Sequence, residues 1–159
     1  MLIEEGIGEF SDAQAVTTSA ASTNVLNIGL ARHQYGADSL WLWVRVNVAA
    51  LFVGTESYIF AFETDSEATF STTPAAAVVV ADTDGSAIVT ADTESTPLKT
   101  AGKLVYCSTL PYNANQQFGR WYYTTANTAG ITVDAALGPE RPTEDRSKSQ
   151  IYVSNVGNP

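Results

Sequence analysis

Metal-ligand and nucleophile chemistry of the commonest kinds would have to come from His33 and Cys107, the one histidine and the one cysteine of the chain. They lie 74 positions apart. A structural zinc site takes about four Cys or His ligands at characteristic spacing, so no such centre is expected. A Ser-His-Asp triad would need His33, which sits in the polar, turn-like stretch Ala31-Arg32-His33-Gln34-Tyr35-Gly36. No Gly-x-Ser-x-Gly elbow accompanies it, and His33 reads as an exposed loop histidine. Cys107 ends the apolar run Leu104-Val105-Tyr106-Cys107 and reads as a buried small hydrophobe rather than a nucleophile. A single cysteine also leaves no intrachain disulfide to form.

Paired carboxylates can perform acid–base work on a glycoside. Asp82 and Asp84 flank one turn, and Asp92 and Glu94 form a second close pair. Acidic residues are ordinary in turns because their side chains bond the local backbone. The run Asp82-Thr83-Asp84-Gly85 has the start of a calcium loop but lacks the distal Glu of an EF-hand. No phosphate-cradling glycine loop occurs. The reading is therefore no catalytic residue, no cofactor, no metal and no enzyme. What stands out instead is aromatic: Trp41, Trp43, Trp121, Tyr122 and Tyr123 fall on two short segments. Such residues serve as sandwich core, as anchors of a protein interface, or as a platform for sugar rings, and the sequence leaves all three open.

The elements that must position these residues read as strands. Leu40-Trp41-Leu42-Trp43-Val44-Arg45-Val46-Asn47-Val48 alternates strictly, with Leu and Val on one face and Trp41, Trp43, Arg45 and Asn47 on the other. The aliphatic face suits a core; the aromatic face meets a second layer or a partner. Alternation recurs in Tyr58–Glu63, Arg120–Thr125 and Ile131–Leu137, and shorter strands are expected at Val25–Leu30, Ala77–Ala81, Ala87–Ala91 and Lys103–Leu110. Turn signals separate them: Tyr35-Gly36-Ala37-Asp38, Asn127-Thr128-Ala129-Gly130 and the hairpin candidate Asp84-Gly85. The segment around Ser66–Thr73 reads as a short helix or loop. About eight short strands divided by turns predict an all-β, antiparallel sandwich, of which the jelly roll is the commonest viral form.

The two ends differ in composition. Residues 11–24 are small and polar, with Val16 their one bulky core former. Residues 138–149 are charged and carry two prolines, and beyond them Ile151-Tyr152-Val153 is a strand-like patch. Such stretches do not fold alone. The expected organisation is an extended N-terminal arm (1–23), a body (24–137) and an extended C-terminal arm (138–159).

With 17 acidic against 8 basic residues, the 159-residue chain carries a formal charge of −9. Phosphate contacts need cations, so neither nucleic acid nor an anionic membrane is an expected partner. The N-terminus lacks the pattern of a signal peptide, and no apolar run approaches the roughly 20 residues of a membrane helix.

The segment Glu9-Phe10-Ser11-Asp12-Ala13-Gln14-Ala15-Val16-Thr17-Thr18-Ser19-Ala20-Ala21-Ser22-Thr23-Asn24-Val25-Leu26-Asn27-Ile28-Gly29 resembles the N-terminal stretch of capsid cement (decoration) proteins of short-tailed bacteriophages of the Bordetella-phage type. Leu40–Val46, Gly119–Ala126 and Gly130–Ala135 are similar to later strands of that family. The resemblance implies a jelly-roll-like sandwich, usually a homodimer. It implies a place on the outer capsid surface of the virion, reached from the host cytoplasm, where the protein bridges subunits of the major capsid protein. Contact residues are then expected at Phe10, Asp12, Gln14 and Val16, on the strand residues Trp41, Trp43 and Arg45, and at Ile151, Tyr152 and Val153. The competing expectations are a carbohydrate-binding or adhesion module, a tail or head-fibre component, and a glycoside hydrolase.

Overall fold

The structure, a computed structural model, describes residues 1–3, 6–48, 57–71, 74–83, 101–126 and 130–142. In chain order the strands are β1 (Leu2–Ile3), β2 (Gly8–Val16), β3 (Ala20–Ala21), β4 (Val25–Leu26), β5 (Trp41–Val48), β6 (Ser57–Asp65), β7 (Ala75–Thr83), β8 (Leu104–Thr109), β9 (Phe118–Ala126) and β10 (Ile131–Gly138). One helix, α1 (Ile28–Tyr35), and a 3-10 turn at Ala37–Ser39 lie between β4 and β5.

Two sheets result. One runs β1-β4-β9-β6-β7, with β3 also on β9; the other runs β2-β10-β5-β8. Apart from the short parallel pair of β1 with β4, the long-range pairs are antiparallel, and four of them nest: β2 with β10, β4 with β9, β5 with β8, β6 with β7. A long hairpin rolled up until its first strand meets its last gives this pattern, which is the jelly roll. The sequence expectation of an antiparallel, jelly-roll sandwich is thus what the chain forms.

The core lies between the sheets and is aromatic where they cross. Phe10 of β2 meets Phe62 of β6 edge-on, ring centroids 5.5 Å apart. Tyr106 of β8 meets Trp121 of β9 at 5.9 Å, and Phe62 meets Trp121 at 5.4 Å. Leu42, Val44 and Val46 of β5 fill the space between, fully buried. Offset aromatic pairs of this kind add to what area burial contributes.

Five sequence expectations are corrected. The described residues of the 1–23 segment form no arm. Gly8–Val16 is a strand on β10, Ala20–Ala21 pairs with Tyr122 and Tyr123 of β9, and the amino group of Met1 donates to the Thr23 carbonyl. Small polar residues gave no hydrophobic signal here because backbone ladder bonds, not side-chain burial, hold most of this segment. Phe10 and Val16, expected as contact residues, are fully buried in the core. Val25–Leu30 is a strand only as far as Leu26. The Asn27 side chain accepts from the Leu30 N–H at 3.0 Å, which caps α1 and redirects the chain. Finally, Cys107 is half-buried rather than buried, and His33, although exposed, is on α1 rather than a loop.

α1 is seated by Gly6, which has φ +81° and whose Cβ, if it had one, would lie 2.6 Å from the Asn27 carbonyl oxygen. Only glycine permits that approach. The expected hairpin at Asp84-Gly85, the strand Ala87–Ala91 and Asp92 and Glu94 lie outside the described residues, as does most of the C-terminal segment.

Candidate interaction face

The β2-β10-β5-β8 sheet has one face on the core and one turned outward. Alternation along β5 decides the split: Leu42, Val44 and Val46 are buried, whereas Trp41, Trp43 and Arg45 are half-exposed on the other side. No further layer covers this face among the described residues. Of the two possibilities the sequence left for the aromatic side of β5, the structure removes the sheet-to-sheet core.

Register fixes what stands beside the tryptophans. Ala136 of β10 is opposite Trp43, Gly138 is opposite Trp41, and Asp134 is opposite Arg45. Across the next ladder, Cys107 of β8 is opposite Trp43 and Thr109 opposite Trp41. On the far side, Glu9 of β2 is opposite Ala136. Directly opposed residues share a face, so these groups form rows across the sheet.

Two arginines lie on the tryptophans. The Arg45 guanidinium carbon is 5.0 Å from the Trp43 ring centroid, and that of Arg141 is 5.2 Å from the Trp41 ring. Such stacking is worth about 0.5–1 kcal/mol at exposed sites. Arg45 Nε also approaches Asp134 Oδ2 at 4.0 Å. The other Asp134 oxygen accepts from the Ala13 N–H at 2.7 Å. Ala13 has φ +46° and sits where β2 slips register against β10, so Asp134 holds a bulge in the edge strand.

Below that bulge lies a buried polar cluster. Ser11 Oγ donates to Gln14 Oε1 at 2.6 Å, which leaves Tyr123, 2.7 Å away, to donate its hydroxyl proton to Ser11. Gln14 also accepts from the Thr23 N–H and donates to the Ala21 carbonyl. Burial raises the Tyr123 hydroxyl far above the ordinary tyrosine range. Gln14 therefore works inside the chain, stitching β2 to the segment that follows it.

Of the expected contact residues, the structure brings together Trp41, Trp43 and Arg45, and leaves Asp12 exposed at the bulge. It sends Phe10 and Val16 to the core and engages Gln14 internally. Ile151, Tyr152 and Val153 lie outside the described residues. Sequence reasoning missed Glu9, Asp134, Ala136, Gly138 and Arg141. Their place on this face follows from strand register, or for Arg141 from the path of the chain after β10, and neither is visible in a local pattern. Among the described residues no three His, Cys, Asp or Glu side chains are grouped as metal ligands would be.

A family model described as Bbp16 matches residues 10–137. The chain belongs to the Bbp16 family. The match begins at Phe10, the first core residue of β2, and ends at Leu137, the last core residue of β10, so the family region is the closed roll itself. The Bbp16 family is phage-associated, in keeping with the phage resemblance of residues 9–29. No curated protein matches the chain.

Proposed function

We propose that this Bbp16-family chain is a structural virion protein, a capsid cement protein. It sits outside the shell of a tailed phage, bridges neighbouring subunits of the major capsid protein and pairs with a second copy of itself. The observation that carries the reading is membership of a phage-associated family across the whole jelly roll. The roll adds support: its interior is packed with apolar side chains, while aromatic and charged groups stand together on an outer sheet face. A rigid body with an anchoring face is what a bridging protein needs. Each contact is weak, but repetition across a shell makes the sum strong. The charge of −9 argues against packaged nucleic acid as the partner.

The test is to add the purified protein to shells of the parent phage that lack it. Co-sedimentation, a reconstruction with density over capsomer junctions, and a higher shell disruption temperature are expected. Density confined to the tail or fibres, or no retention at all, overturns the reading.

Trp41 and Trp43 on an outer face also favour a glycan-binding reading. Sugar stacking needs open ring faces, and Arg45 and Arg141 lie on these rings. A glycan panel that retains the protein would promote that reading over cement.

A further inference from the structure

The outer face of the β2-β10-β5-β8 sheet has a shape as well as a composition. Its floor is β10, where Gly138 presents only a hydrogen and the Ala136 methyl group is mostly covered by its neighbours. A Cβ built on Gly138 would meet nothing within 4 Å, so the space above it is open. Trp43 and Trp41 stand along one side, on β5. On the other side is Glu9 of β2, exposed and in line with Ala136 and Trp43. Asp12, exposed at the bulge, follows it along the same edge. Among the described residues neither Glu9 nor Asp12 forms an ion pair, while the two arginines of this face are stacked on its tryptophans.

We propose that this trough is the docking groove for a basic, extended segment of the capsid protein, and the inference rests on the cement reading above. A lysine or arginine of that segment lies over Gly138, at the border of Ala136. Its aliphatic stem packs beside Trp43 and Trp41, and its cation reaches Glu9. Long cationic side chains suit such a site because stem and head have different needs, an apolar wall and a carboxylate. Charge points the same way: a chain at −9 steers toward a basic surface and repels an acidic one.

The experiment measures binding to shells for the intact chain, Glu9→Lys, Glu9→Gln and Gly138→Val. Glu9 is exposed and Gly138 has room, so these variants keep the fold, which their melting temperatures check. Glu9→Lys is expected to weaken binding by about tenfold or more through like-charge repulsion. Gly138→Val should weaken it comparably by filling the trough with a residue that a strand favours. Binding of the intact chain should fall with added salt, more steeply than that of Glu9→Gln. If the intact chain binds shells and Glu9→Lys and Gly138→Val bind as tightly, the groove is wrong and the cement reading stands. If the intact chain does not bind shells, the cement reading falls, and this inference with it.

Discussion

Strands β5 and β9 are built from the same ingredients and turn them opposite ways. Each carries tryptophan and an arginine, and each lies inside its sheet rather than at an edge. On β5 the aliphatics go inward and Trp41 and Trp43 outward. On β9 the aromatics Trp121 and Tyr123 go inward, fully buried, and Tyr122 goes outward. The difference lies in what each strand faces. Trp121 has Phe62 and Tyr106 within ring-contact range, so the core has an aromatic socket for it. The tryptophans of β5 have arginines instead, a partner suited to the boundary with water. An aromatic residue thus serves stability on one strand and remains available for recognition on the other.

The largest effect should separate the two. Trp121→Ala removes a fully buried side chain and should cost about 3–5 kcal/mol, enough to unfold much of the population. Trp43→Ala should cost about 1–2 kcal/mol while lowering retention on shells. Urea titration of both checks this, and equal costs would break the comparison.

Next come two glycines that differ in the same sense. A Cβ on Gly119 of β9 would lie 2.7 Å from Phe62 Cζ and 3.0 Å from Ile28 Cγ2, both core atoms. Gly119→Ala should destabilise by about 1–3 kcal/mol through overpacking. Gly138→Ala on the outer face should be neutral or gain up to about 0.5 kcal/mol, since alanine suits a strand better than glycine. Thermal melts distinguish them.

Alkaline pH should find β9 before β5. Burial raises the folded pKa of Tyr123, and less strongly that of Tyr106, above the unfolded value of about 10. Between those values the unfolded chain has lost protons that the folded chain keeps, so stability is full below about pH 10 and declines above it. Tyr123→Phe should cost about 1 kcal/mol at neutral pH, from the lost hydrogen bond to Ser11, and should flatten the decline. Stability measured across pH 8–11, a range set by the tyrosine value of about 10, tests the sign.

The smallest effect concerns the outer ion pairs. Arg120 places Nε and Nη2 each 2.9 Å from Glu63 Oε2, and its guanidinium carbon lies 4.2 Å from the Phe70 ring centroid. Arg45 and Asp134 are 4.0 Å apart. Glu63→Gln should cost under about 1 kcal/mol, and Asp134→Asn about half of that. Denaturant midpoints rank them.

Much of this contrast could be read in the sequence on β5 and little of it on β9. Leu42, Val44 and Val46 mark one face as apolar, and burial followed. In Arg120-Trp121-Tyr122-Tyr123 both faces carry aromatics, and only the distant Phe62, Tyr106 and Ser11 decide which goes in. The N-terminal segment was illegible for a related reason. Ser11 and Gln14 are tolerated inside because Tyr123 and Ala21, far along the chain, satisfy them, and composition does not record such bonds. The sandwich itself was legible from the count and spacing of strands, whereas the order in which they roll up was not. On the outer face, the tryptophans and Arg45 could be found from alternation, whereas Glu9, Ala136 and Gly138 acquire meaning only from the register that lines them up.

The pairing of β2 with β10 also governs how the molecule can be made. β2 leaves the ribosome before its hydrogen-bonding partner β10, which emerges more than a hundred residues later. Until then Phe10 and Val16 lack the lid that shields them. Closure is therefore a late, slow event, on the scale of milliseconds to seconds for topologies so rich in distant pairings. No copy can close its sandwich before β10 has been translated.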